Sequence, residues 1–98
     1  LIILENGGWS KRGDRGPKER KGNENWQAHL LTRQHEVLTR FAPPLSGYTY
    51  WLLLDYRSRK TYTGKKSSNG WSRMGMYDEF GQPKLVRDVF RELDWPTK

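Results

Sequence analysis

Apolar residues are concentrated in two short runs, and each run predicts a β-strand. Leu1 to Leu4 is a continuous apolar run that ends at Glu5, which is typical of a strand buried on both faces. Residues 48–54 form an aromatic and aliphatic run that ends at Asp55, the strongest strand pattern in the chain. Both predicted strands therefore end at a carboxylate.

Apolar residues at helical spacing predict two helices. The first extends over about residues 24–41, begins after an N-cap at Asn23 and is stopped at Pro43. The second extends over about residues 83–93, with Pro83 at its first helical position. The helices alternate with the strands, which indicates an α/β chain.

The loops that follow the two strands are long, and the connection from the first helix to the second strand is short. The loops cover residues 7–22 and 57–74. Strands that alternate with helices are expected to be parallel. In a (β/α)8 barrel the strand-to-helix loops form the active-site face and the strand ends carry the catalytic residues. Glu5 and Asp55 are therefore expected to lie at a site.

Composition limits the class of protein. The 98-residue chain is at most one domain, and it begins inside an apolar run without Met, which we interpret as truncation. It has no Cys and no apolar run long enough for a membrane span. His29 and His35 are six positions apart without a set of acidic partners, so we expect solvent-exposed histidines, no metal and no cofactor.

The net charge of +7 raises the possibility of a nucleic-acid partner. The basic residues are concentrated in the stretches 11–21 and 57–73, which we interpret as solvated loops. A small nucleic-acid-binding module would use these loops with Trp9, Tyr62 and Trp71 as stacking groups. We expect no nucleic-acid partner, because the two strands have the composition of buried strands and not of exposed aromatic platforms.

Three segments resemble glycoside hydrolase family 2, which includes β-galactosidases, β-glucuronidases and β-mannosidases. Residues 1–8, Leu-Ile-Ile-Leu-Glu-Asn-Gly-Gly, resemble the seventh strand of the family's catalytic barrel. Residues 47–56 resemble the eighth strand, in which a Gly is followed four residues later by Trp and then by Asp and an aromatic residue. Gly75-Met76-Tyr77 with Gln82-Pro83-Lys84 resembles the closing segment. The resemblance implies the C-terminal portion of a (β/α)8 barrel, about strands 7–8 and helices 7–8.

The resemblance also implies a retaining glycosidase that cleaves β-linked carbohydrates. Glu5 matches the family's nucleophile, which forms a covalent glycosyl-enzyme. The acid/base Glu of the family follows strand four, so it lies outside this chain, and we expect the chain to be inactive by itself. Asn23 and Glu24 form a similar Asn-Glu pair, but helix capping explains them.

The candidate substrate contacts are five residues near the strand ends and in the loops. Trp51 is either a platform for a sugar ring or a core aromatic residue. Asp55 is either a substrate contact or a cap of the following turn. Trp9 and Trp71 are each either a sugar contact or a loop anchor, and Asn6 follows the nucleophile.

The chain departs from the family at several positions. Family members that bind glucuronic acid have Asn-x-Lys where this chain has Ser72-Arg73-Met74, which disfavours a glucuronidase. Lys84 matches the family in position only, and we expect it on the surface of the last helix. A relative that binds sugar without cleaving it is the remaining alternative, which upstream sequence would decide.

Overall fold

The computed structural model describes residues 2–57, 67–68 and 71–96 of an α/β chain. Two α-helices and five short strands occur in these residues. In chain order they are β1 (Ile2–Glu5), α1 (Glu24–Thr39), β2 (Tyr48–Trp51), β3 (Tyr56–Arg57), β4 (Ser67–Ser68), β5 (Trp71–Ser72) and α2 (Leu85–Glu92).

Strands β1 and β2 form a parallel pair, as predicted. Their register begins at Ile2 opposite Tyr48 and ends at Glu5 opposite Trp51. Helix α1 makes the crossover between them, and α1 and α2 contact each other. The carboxyl ends of the two strands therefore lie side by side.

Only one face of the β1–β2 pair is covered. Leu4 and Tyr50 pack on a core formed by Leu31, Met76 and Val86. Side chains alternate between the faces of a strand, so Ile3, Glu5, Thr49 and Trp51 project from the opposite face. On that face 68% of Ile3 and 43% of Trp51 are exposed. The expectation that β1 is buried on both faces is wrong for the described residues, because they place no layer against this second face.

Local capping explains the helix boundaries. The Asn23 side chain accepts a hydrogen bond from the Trp26 amide at the start of α1, which confirms the predicted N-cap. Helix α1 ends at Thr39, two residues before the predicted end, and the chain continues as hydrogen-bonded turns toward Pro43. Pro83 was expected at the first position of α2, but this is wrong because the extended residue Lys84 is the N-cap.

The segment expected to be a loop over residues 57–74 contains a small antiparallel sheet. Strand β5 pairs with β3 and with β4. Two-residue strands are too short to give a periodic pattern, which explains why the sequence did not predict them. Residues 58–66, 69 and 70 lie outside the described residues, and so does Tyr62.

Gly75 lets the segment before α2 run directly against the residues that follow β2. A Cβ atom at Gly75 would collide with backbone atoms of Leu54 and Asp55. In its absence the Met76 amide donates to the Leu52 carbonyl at 3.0 Å. The Asp55 amide donates in turn to the Tyr77 carbonyl at 2.9 Å.

No helix in the described part of the chain is long and apolar enough to cross a membrane.

Candidate active site

Glu5 and Trp51 form the open part of the site. They are register partners at the ends of adjacent parallel strands, so their side chains project from the same face. Both are exposed. Within the described residues the Glu5 carboxylate has no ion-pair partner. The arrangement places a carboxylate without an ion-pair partner in the described residues and an indole side chain on the same face of the strand pair.

Asn6 lies behind Glu5 and is only 4% exposed. Its side-chain amide donates to Gln34 Oε1 at 2.5 Å. Its Oδ1 accepts from the Gly8 amide at 2.9 Å and from the Tyr50 hydroxyl at 3.2 Å. The polar groups of Asn6 are thus engaged within the chain, on the helix side of the sheet, and its expected contact with substrate stays a prediction.

Lys84 is a buried cation and not the expected surface residue. It is 1% exposed, and its ammonium group donates to three oxygens. These are the carbonyl of Ser10 at 2.6 Å, Oδ1 of Asp55 at 2.8 Å and the carbonyl of Arg73 at 3.1 Å. Burial lowers the pKa of Lys84, and the hydrogen bond to Asp55 opposes that effect.

Asp55 is the centre of this buried cluster. It is 4% exposed, and besides Lys84 it accepts from Arg73 Nη1 at 3.2 Å and from the Gly75 amide at 2.9 Å. The expectation that Asp55 caps the turn directly after β2 is wrong, because these described partners lie on other segments. Both of its carboxylate oxygens accept hydrogen bonds from groups of the protein. Contact with substrate stays a prediction.

Arg73 joins the cluster to Glu79. Its Nη1 donates to Glu79 Oε1 at 2.5 Å as well as to Asp55. Burial lowers the pKa of Arg73, but the hydrogen bonds to Glu79 and Asp55 outweigh this effect and raise the pKa overall. Two cations and two carboxylates therefore share one region next to the end of β2.

The two loop tryptophans both have local partners. Trp9 is half-buried and meets Trp26 of α1 edge-on, with ring centroids 4.8 Å apart. The ring of Trp71, in β5, has the guanidinium groups of Arg57 and Arg73 over it, at 5.2 and 5.4 Å from its centroid. The anchor alternative is observed for both residues, and a sugar contact stays a prediction for each.

Glu24 does more than cap its own helix, contrary to the expectation. It is buried and accepts from the amides of Gly13 and of Leu85, the latter at 2.5 Å. Its carboxylate therefore lies at the N-terminus of α2, where negative charge is stabilised. No local sequence pattern predicts this contact, because Leu85 is 61 positions away.

His35 was expected to be exposed, but it is half-buried and hydrogen-bonded. Its Nδ1 lies 2.7 Å from the Tyr48 hydroxyl, and its Nε2 lies 2.7 Å from the Asp94 carbonyl. Among the described residues, no group of three or more His, Cys, Asp or Glu side chains could hold a metal ion.

Comparison with known proteins gives matches among solved structures. No family model and no curated protein matches the chain. A glycoside hydrolase family 2 β-galacturonidase from Eisenbergiella tayi, bound to galacturonate, is 27% identical with a TM-score of 0.74 over 95% of this chain and 17% of that chain. A glycerol-bound structure of a β-galacturonidase from the same organism is 26% identical, with a TM-score of 0.77 over 99% of this chain and 18% of that chain. A β-D-glucuronidase of Dictyoglomus thermophilum is 20% identical, with a TM-score of 0.67 over 94% and 16%.

These matches show that the chain is related to glycoside hydrolases. More narrowly, the chain is related to glycoside hydrolase family 2, which confirms the predicted relationship. The chain spans 16–18% of the length of the three solved structures. The activities that they are named for are properties of those longer proteins.

Proposed function

We propose that the chain is the part of a catalytic (β/α)8 barrel that carries strands 7 and 8. The parallel β1–β2 pair, the α1 crossover and the long loops after both strands support this placement. The uncovered face of the pair supports it as well. In a closed barrel that face would line the interior, so Ile3 and Thr49 would be covered by the other strands.

Within this barrel, Glu5 acts as the nucleophile of a retaining glycosidase. The observation that carries the proposal is the register of Glu5 with Trp51 at the carboxyl ends of two parallel strands, on the uncovered face. This arrangement presents a carboxylate and an apolar ring face to the same space. A pyranose needs both, because its C–H face stacks on an aromatic ring while its anomeric carbon is attacked.

The reaction proceeds in two steps. Glu5 attacks the anomeric carbon and forms a covalent glycosyl-enzyme, while a second carboxyl group protonates the leaving oxygen. That second group then removes a proton from a water molecule, whose oxygen attacks the anomeric carbon and breaks its bond to Glu5, so that the sugar is released and the Glu5 carboxylate is restored. The second carboxyl group comes from an earlier strand of the barrel, with the two carboxyl groups about 5–5.5 Å apart. The buried Asp55–Lys84 pair holds together the segments that follow the two strands.

The substrate is a β-linked glycoside. Two features bear on which sugar it carries. The similar structures are named for galacturonic and glucuronic acid substrates, whereas this chain has Ser72-Arg73-Met74 in place of the Asn-x-Lys of glucuronate-binding relatives. A panel of aryl β-galactosides, β-galacturonides and β-glucuronides therefore separates the substrate classes.

The test uses the protein at its full natural length with this panel. Glu5→Gln is expected to lower kcat by at least about 10³-fold on every substrate that the wild type cleaves, because the nucleophile is lost. The matched control Glu36→Gln changes an exposed carboxylate of α1 and should retain wild-type kcat.

Chemical rescue gives a second arm. In Glu5→Gly, azide can occupy the vacated position and attack the anomeric carbon, so an α-glycosyl azide is the expected product from an activated β-glycoside. Wild-type kcat in Glu5→Gln would contradict the proposal, and so would a wild type that binds the sugars and cleaves none of them.

A further inference from the structure

A reciprocal amide pair lies directly behind the strand end that carries Glu5. The Asn6 side-chain amide donates to Gln34 Oε1 at 2.5 Å, and Gln34 Nε2 donates back to the Asn6 carbonyl at 3.0 Å. Gln34 belongs to α1 and is 28 positions from Asn6. The two bonds therefore join the backbone after Glu5 to the helix behind the sheet.

Asn6 is held from two further directions. Its Oδ1 accepts from the Tyr50 hydroxyl of β2 and from the Gly8 amide of its own turn. A Cβ atom at Gly8 would lie 2.6 Å from that same oxygen, so glycine allows the turn to close on Asn6. The residue next to Glu5 is consequently fixed to α1, to β2 and to its own loop.

The Glu5 side chain has no comparable support within the described residues. It projects from the uncovered face, and no salt bridge holds its carboxylate there. The position of the carboxylate therefore depends on the backbone at residues 5 and 6. A displacement of about 1 Å at a reacting group can reduce the rate by about 10²-fold.

We infer that Gln34 is a positioning residue for the Glu5 carboxylate and acts through Asn6. This inference rests on the proposed function of Glu5. Gln34 does not touch the substrate in this arrangement, because it lies on the helix side of the sheet. Its loss should therefore slow the chemical step and leave the affinity for sugar largely unchanged.

The experiment compares two variants of Gln34 in the protein at its full natural length, on an aryl β-glycoside that the wild type cleaves. Gln34→Met has a similar shape without hydrogen bonds and should lower kcat about tenfold, with KM within about twofold. Gln34→Glu keeps an acceptor for the Asn6 side-chain amide but loses the donor to the Asn6 carbonyl. Its kcat should therefore lie between those of the wild type and Gln34→Met. The matched control Arg33→Met alters the exposed neighbouring residue of α1 and should keep both constants.

The outcomes separate this inference from the proposed function. If Glu5→Gln abolishes activity while Gln34→Met keeps wild-type kcat, the positioning role is wrong and the nucleophile stands. A rise in KM with unchanged kcat would also overturn the role, as it would mean lost binding. If Gln34→Met does not fold, Gln34→Glu decides, and a wild-type kcat in that variant overturns the inference. Retained activity in Glu5→Gln would refute the proposed function itself.

Discussion

At the scale of single residues, Lys84 hydrogen-bonds to three separate segments of the chain. Its ammonium group joins the loop after β1, the end of β2 and the segment before α2 through Ser10, Asp55 and Arg73. A buried cation is costly unless it is paired and its hydrogen bonds are satisfied. Here three oxygens accept its three protons, so the group is satisfied where it lies.

Replacing Lys84 with Met should loosen the wall of the site. The variant removes one of the two cations paired with the buried Asp55 carboxylate, and because Arg73 remains, we expect a loss below the figure of about 3–5 kcal/mol for a fully unpaired buried charge. Hydrogen exchange of the Asp55 and Gly75 amides in the full-length protein measures the effect. The exposed Lys18→Met is the matched control. Equal protection in both variants would contradict the role of Lys84.

The lowered pKa of Asp78 leads us to expect that the protein loses stability in acid. Burial raises the pKa of its carboxyl, but hydrogen bonds from Arg12 and from the amides of Phe80 and Gln82 outweigh burial and lower the pKa overall. A lowered pKa in the folded state contributes stability above the unfolded value of about 3.9, and this is lost as the pH falls through the folded value.

The thermal midpoint of the full-length protein, measured between pH 7 and pH 2, tests this. Wild type should lose stability below about pH 4, and Asp78→Asn should lose less over the same range because it has no proton to bind. The control Asp14→Asn removes an exposed carboxylate and should follow wild type. Parallel curves for wild type and Asp78→Asn would show that Asp78 does not contribute.

Residue-level prediction from the sequence depended on whether the signal was local. Glu5 could be proposed because it follows an apolar run, and Trp51 because it lies within one, and each also matches a short motif. Lys84 and Gln34 could not be placed, because their partners are 11 to 74 positions away in the chain. A local sequence pattern cannot predict a contact between residues so far apart in the sequence.

At the scale of elements, the helices hold the strand pair from one side. Leu31 of α1 and Val86 of α2 are fully buried, and Leu4 and Tyr50 pack on them from the strands. The two main strands and both helices were predictable from apolar periodicity and from the Asn23 cap. The sheet of β3, β4 and β5 was not predictable, because each of these strands is only two residues long and too short to show an alternating pattern.

Truncating the core should separate the helix layer from the strands. Leu31→Ala is expected to cost about 2–5 kcal/mol, because it removes a buried side chain and leaves a cavity. Val37→Ala, on the same helix, changes a side chain that is 44% exposed and should cost about 0.5 kcal/mol or less. Thermal unfolding of the two variants in the full-length protein provides the comparison, and equal midpoints would place the core elsewhere.

At the scale of the whole molecule, several large apolar side chains of the described residues are exposed. Ile3, Leu53 and Phe80 are each more than 60% exposed. The β1–β2 pair has an uncovered face as well. Such surfaces mark contacts with other protein elements, in agreement with a chain that matches 16–18% of longer glycoside hydrolases.

The isolated 98-residue chain should therefore self-associate or form a loose state. Sedimentation and a hydrophobic dye would detect association and exposed apolar surface. Replacing Ile3 and Leu53 with Thr should reduce association, whereas replacing the buried Val86 with Thr should not. A monomer with one sharp thermal transition would contradict the expectation.

The most direct test of the central claim is to trap the covalent glycosyl-enzyme. The full-length protein is incubated with a 2-deoxy-2-fluoro-β-glycosyl fluoride of the preferred sugar, digested and analysed by mass spectrometry. We predict that the fluorosugar is attached to Glu5, and that Glu5→Gln is not labelled. A label on another carboxylate, with Glu5 unmodified in an inactivated enzyme, would contradict the assignment.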